Sequence, residues 1–182
     1  AYGHRVIDAA VSLGAEVVSF GFFQATTPAQ NAAVWFWLAQ GHKDSADPAI
    51  YELAVDRIRE LAVHAESVGI QITLEMYEDT YLGSSDGCVK FVTDVNHPAC
   101  GLNPDLGNLV RLHRPLEPVT EAFEKMLPYT NYWHIKNYTR YFDPATGAYA
   151  TQPAPLPGGY VNYRPIIALA LELEEAMGVE HG

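Results

Sequence analysis

The chain of 182 residues is 48% hydrophobic and 18% charged, and it carries a formal net charge of −11. That composition marks a folded globular chain, and the length fits one domain with a full-sized core. The acidity argues against nucleic acid and leaves a neutral small molecule or a cation as the natural ligand. No apolar run approaches the roughly 18–20 residues that cross a bilayer, and no basic segment leads into a signal-type apolar run, so neither a membrane nor export is expected. Cys88 and Cys100 form no CxxC pair and read as reduced, buried thiols of a cytoplasmic protein. Because the chain opens on Ala1, in what reads as the middle of a helix, it is expected to be a piece of something longer.

Taken in chain order, helices alternate with short apolar strands. Residues 2–13 place Val6, Ile7, Ala10, Val11 and Leu13 near one helical face, and Gly14 stops that helix. Val17-Val18-Ser19-Phe20 has the character of a buried strand. Asp47-Pro48 is an N-cap followed by proline at the first helical position, and apolar residues from Ile50 to Ala65 recur at helical steps up to Gly69. Ile70 to Glu75 reads as a second strand, Cys88 to Val95 as a helix and Cys100 to Asn103 as a third strand. Val119 to Met126 is another helix, and Tyr132 to Ile135 a fourth strand. A last helix follows the Gly158-Gly159 turn, through Ile166 and Leu173, with Gly178 as its stop. This alternation predicts parallel βαβ units, about half of a (β/α)8 barrel of roughly 250 residues. No glycine fingerprint of a dinucleotide site follows any strand. The long segments 21–47 and 138–160 both follow strands, on the side where parallel α/β proteins place their sites.

Three residues stand at or just past the ends of successive strands: Glu75, Asp105 and His134. Singly, each has an ordinary reading: Glu75 in a salt bridge or cap, Asp105 in a turn before Gly107-Asn108, His134 as a core histidine beside Trp133. Together they hold equivalent positions in adjacent βα units, and such positions converge at one face of a closing barrel. Two carboxylates and an imidazole suit a divalent ion, Mn²⁺ first, with Mg²⁺, Co²⁺ or Zn²⁺ as alternatives. In the first long loop, Trp35 and Trp37 could wall a sugar ring or simply pack on the barrel mouth, and His42 follows them as a further substrate contact. Arg111, His113 and Arg114 could bind an anion or balance local acid. Lys136 is assigned to the strand face opposite His134 and to a structural role.

The segments ITLEMYE, GLNPDLGN and YWHIKN, in that order, resemble the sugar phosphate isomerase/epimerase superfamily of xylose-isomerase-like barrels. Upstream, DAAVSLGAEVVSFGF resembles that family's helix and strand before its first metal carboxylate. The resemblance runs from about Arg5 to Gly178. It implies a single partial TIM-barrel domain over residues 1–182, with about four central βα units and without the first strands or the last. By resemblance, Glu75 is a metal ligand and proton-transfer base, Asp105 and His134 are metal ligands, and Arg140 contacts the substrate. Asn108 stands where several family members keep a substrate-contacting histidine. The family's fourth ligand, a second glutamate, is expected beyond Gly182.

The activity implied is metal-dependent isomerisation or epimerisation of a sugar, by proton transfer next to a carbonyl. Two alternatives share the scaffold: a lyase subunit of the C-glycoside deglycosidase type, and a non-catalytic binding or assembly module. Abasic-site endonucleases also share it, but they use more histidines and basic surfaces. The expected partners are a small sugar and either a second copy of the chain or a second subunit.

Overall fold

A computed structural model of the protein describes residues 2–176. The order is α1 (Tyr2–Ser12), β1 (Val17–Phe20), α2 (Pro28–Ala32), α3 (Pro48–Ser67), β2 (Gln71–Glu75), α4 (Ser85–Val95), β3 (Cys100–Asn103), α5 (Gly107–Val110), α6 (Val119–Met126), β4 (Asn137–Asp143), β5 (Ala148–Ala154) and α7 (Tyr163–Ala176). The helix limits follow from local chemistry. Asp47 caps α3 by accepting the Ala49 amide at 2.9 Å, with Pro48 at the first helical position, and Ser84 caps α4 through Gly87. Gly14 and Gly69 follow α1 and α3 with φ of 75° and 79°, a backbone region where a side chain is strained. The expected stop at Gly178 lies outside the described residues.

β1, β2 and β3 form a parallel sheet in sequence order, with Val17 beside Gln71 and Glu75 beside Asn103. An order that never reverses is barrel-type winding, as opposed to a doubly wound sheet with a switch point. Alternation along the strands sorts the two faces. Ile72, Leu74 and Leu102 share a core with Ile58, Ala62, Phe91 and Val95 of α3 and α4. The other face carries Thr73, Glu75 and Asn103, so one side of the sheet is polar although its residues are largely buried.

The expected fourth strand does not form. Residues 130–136 run past β3 with one isolated bridge, Leu102 to Thr130. Asn131 accounts for this. Its side chain lies across Gly101, where a Cβ would stand 2.3 Å from Asn131 Cγ, and it donates to the Ile72 carbonyl at 3.0 Å. At the other end of the segment, the Asn103 side chain accepts the His134 amide at 2.8 Å. Side chains have replaced the ladder, so the chain stays extended without becoming a regular strand.

The segment 138–160, expected as a loop, is largely an antiparallel hairpin of β4 and β5. Asp143 organises its turn by accepting from Ala145 N and Thr146 Oγ1, and Gly147 closes it with φ 68°. Arg140 fastens the hairpin to the chain after β3. Its guanidinium donates to the carbonyls of Val110 at 3.0 Å, Leu112 and Arg114, and lies 3.9 Å from the centre of the Tyr149 ring. Arg140→Ala should therefore destabilise the fold by about 2 kcal/mol, a Tm decrease of roughly 4–8 °C for a chain of this size. Thermal melts check it; an unchanged Tm would free Arg140 for the substrate contact expected from the sequence.

Candidate metal centre

Glu75 ends β2, and its lateral neighbour in the sheet, Asn103, ends β3. Asp105 follows two residues later, fully buried. His134 comes from the extended segment beyond, where alternation sends Trp133 against Phe123 and Tyr163 and leaves His134 facing the carboxylates. Its Nδ1 stands 3.5 Å from Glu75 Oε1 and 3.4 Å from Asp105 Oδ2. One ligand atom from each residue lies within 4.8 Å of the others. Ligand atoms that share an ion at bond lengths of about 2.0–2.3 Å sit roughly 3 Å from their nearest neighbours, so the three expected ligands do converge.

The chemistry of Asp105 fits an ion. Among the described residues, neither of its oxygens has a well-aligned hydrogen-bond donor. Lys136 Nζ approaches Oδ2 to 2.8 Å as an ion pair, outside hydrogen-bonding alignment. Burial pushes the Asp105 carboxyl up from its ordinary range, Lys136 opposes that shift, and Glu75 adds to it. A buried carboxylate in this state is stabilised by a cation at the position its two companions also face.

Two asparagines hold the candidate ligands. Because Asn103 Oδ1 accepts the His134 amide, its Nδ2 is turned toward His134 Nδ1, 3.0 Å away. That network places the ring hydrogen on Nε2 and engages the Nδ1 lone pair with the Asn103 amide, a hydrogen bond that an ion bound at Nδ1 would displace. Asn108, 1% exposed, donates from Nδ2 to Glu75 Oε1 at 3.1 Å and to the Met76 carbonyl at 2.8 Å. It was expected at the substrate, and in the structure it braces Glu75. The roles of Asn103 and Asn108 need knowledge of which residues lie side by side, which spacing alone does not carry.

Lys136 also belongs here, and its assignment to the opposite face is wrong. Residues two apart on an extended segment share a face, so the parity that brings His134 into the site brings Lys136 with it.

The other candidates lie apart from the triad. Trp37 packs on the Arg111 guanidinium, 4.9 Å from its ring centre, with Phe36 and Tyr77 also against it. Trp35 stacks on Trp37 and is 47% exposed. Arg111 is ion-paired to buried Glu78 at 2.9 Å, so Trp37 walls a guanidinium. Burial raises the pKa of Glu78 despite that partner. His42 lines a cavity of about 270 Å³ with Phe22, Phe23, Gln30 and Tyr77, and no triad residue lines it. Among the described residues, Arg140 makes no hydrogen bond or ion pair with the triad; its guanidinium is engaged with backbone carbonyls.

No curated protein sequence matches the chain, but solved structures do. A Xylose isomerase-like TIM barrel protein from Mycobacterium smegmatis, crystallised in complex with magnesium, is 62% identical and superposes with a TM-score of 0.88, covering 94% of this chain and 55% of that one. The fold is also shared, at 17% identity and a TM-score of 0.57, by D-allulose 3-epimerase from Methylomonas sp., over 74% of this chain and 43% of that one. An IOLI protein with a bound zinc atom is 14% identical with a TM-score of 0.63, over 94% of this chain and 55% of that one. The chain thus spans about half the length of these proteins. A family model described as Xylose isomerase-like TIM barrel matches residues 1–181, and together with the 62% identical structure it establishes that the chain belongs to the xylose isomerase-like TIM barrel family.

Proposed function

We propose that the chain forms the metal-binding part of a sugar isomerase or epimerase that moves a proton next to a carbonyl. The observation that carries this reading is the convergence of Glu75, Asp105 and His134, with the Asp105 carboxylate fully buried and, among the described residues, paired closely only with the Lys136 ammonium. The fold shared with a sugar 3-epimerase and the magnesium in the Mycobacterium smegmatis relative support it.

Glu75, Asp105 and His134 would hold a hard divalent ion, Mg²⁺ or Mn²⁺, whose charge when bound stabilises negative charge developing on the substrate's oxygens. Glu75 is the proton carrier. Its Oε1 receives the Asn108 amide hydrogen, which leaves Oε2 to take a proton from the carbon beside the carbonyl and return it. Asp105 is too deeply buried for that role and serves as a charged anchor. His134, oriented by Asn103, contributes a neutral ligand nitrogen.

Two measurements test this. Purified protein should bind Mn²⁺, and His134→Ala should weaken that binding at least about tenfold while leaving the metal-free Tm near that of the wild type, because the ring is partly exposed and carries little core packing. A His134→Ala protein that melts far lower with or without Mn²⁺ would make the histidine a core residue. The second measurement concerns the reaction in the intact protein, with D-fructose, D-tagatose and D-allulose as trial substrates. At saturating Mn²⁺, wild type should exchange the hydrogen beside the carbonyl with deuterium from solvent. Glu75→Gln keeps the shape but cannot take the proton, so kcat should fall by about 10²–10⁴-fold with a smaller change in KM. Turnover without solvent exchange would point to a hydride shift between carbons instead.

A further inference from the structure

Lys136 reaches the triad by a route that its neighbours keep open. Its side chain crosses Gly107, where a Cβ would stand 2.3 Å from Lys136 Cγ and 2.8 Å from Cε. A larger residue at 107 would push the lysine off that path. Beyond Gly107, Nζ ends 2.8 Å from Asp105 Oδ2 and donates to Asn108 Oδ1 at 2.8 Å. Asn108 passes the connection on to Glu75 Oε1 at 3.1 Å. The backbone at this point is held as well, since the Tyr163 hydroxyl donates to the Lys136 carbonyl at 2.7 Å. One ammonium thus touches a buried ligand directly and braces a second ligand through an amide.

A charge in that position acts in opposite directions on the two states of the site. Without an ion, the Asp105 and Glu75 carboxylates repel each other in a partly desolvated space, and the Lys136 ammonium, 2.8 Å from Asp105 Oδ2, offsets that repulsion and holds them together. With a divalent ion among the ligands, the same ammonium becomes a like charge only a few ångströms away. We propose that Lys136 is a built-in counter-ion of the metal centre, a positioning residue that stabilises the ion-free site and weakens its hold on a divalent cation. This rests on the reading of Glu75, Asp105 and His134 as metal ligands.

The experiment pairs Mn²⁺ titration by calorimetry with thermal melts of the metal-free protein, for wild type, Lys136→Met and Lys136→Arg. Lys136→Met should lower the metal-free Tm by roughly 2–4 °C and yet bind Mn²⁺ about tenfold more tightly, with the gain shrinking as salt is raised. Lys136→Arg keeps the charge and should bind Mn²⁺ as wild type does. A purely structural lysine would give the lower Tm with unchanged or weaker binding in Lys136→Met, and that result overturns the proposal. If Lys136→Met does not fold, Lys136→Gln removes the charge with a polar side chain and is read the same way. Wild type that binds no Mn²⁺ overturns the metal-centre reading itself. Wild type that binds Mn²⁺, with neutral variants that bind no better, overturns only the counter-ion role.

Discussion

The Asp105 carboxylate is fully buried with no well-aligned hydrogen-bond donor among the described residues, and the surrounding residues are arranged around that fact. An anion in such a place is tolerable only beside positive charge, because desolvation disfavours it by several kcal/mol. The charged and imidazole groups beside it are a cation and two potential ligands of one: Lys136 at 2.8 Å, His134 at 3.4 Å, and Glu75 on the other side of the histidine ring nitrogen. Hydrophobic burial of the sheet's opposite face holds the strand ends together against the repulsion between the two carboxylates.

Around this centre the protein uses amides where charge is not wanted. Asn103 and Asn108 each spend one end on a backbone group or a lysine and turn the other end toward a ligand, so their orientations are decided before any substrate arrives. Further out, a second buried charge pair does a different task. Glu78 and Arg111 join the loop after β2 to the turn after α5, and Phe36, Trp37 and Tyr77 cover the guanidinium. Asp79 extends the same junction by accepting from Gly41 N and pairing with Arg114. These contacts make a firm rim from segments with little regular structure, which is how loop residues can be held to the tolerance a metal site requires.

The loss of the fourth strand belongs to the same arrangement. A regular strand beside β3 would bond main chain to main chain along its length. Here the Asn103 side chain takes the His134 amide, and Asn131 uses the gap above Gly101 to reach the Ile72 carbonyl. The segment is thereby free to deliver His134 and Lys136 together, and β4 leaves it to form a hairpin that Arg140 anchors through carbonyls.

Much of this was legible in the residues. Helical periodicity, the Asp47-Pro48 cap and the glycines at 14 and 69 mark where α1 and α3 start or stop, because those signals are local and repeat over many residues. The convergence of Glu75, Asp105 and His134 was legible too, from equivalent positions in successive βα units, even though the segment that carries His134 is extended and not a regular strand. Tertiary structure alone decided what each polar neighbour does. Asn103, Asn108 and Lys136 act through residues about 30 positions away, and Arg140 and Trp37 are diverted to a backbone anchor and a guanidinium stack by partners as far or farther off in the chain. Sequence spacing reports which face a side chain occupies; which acceptor stands opposite it is set only when separate strand ends and loops meet in space.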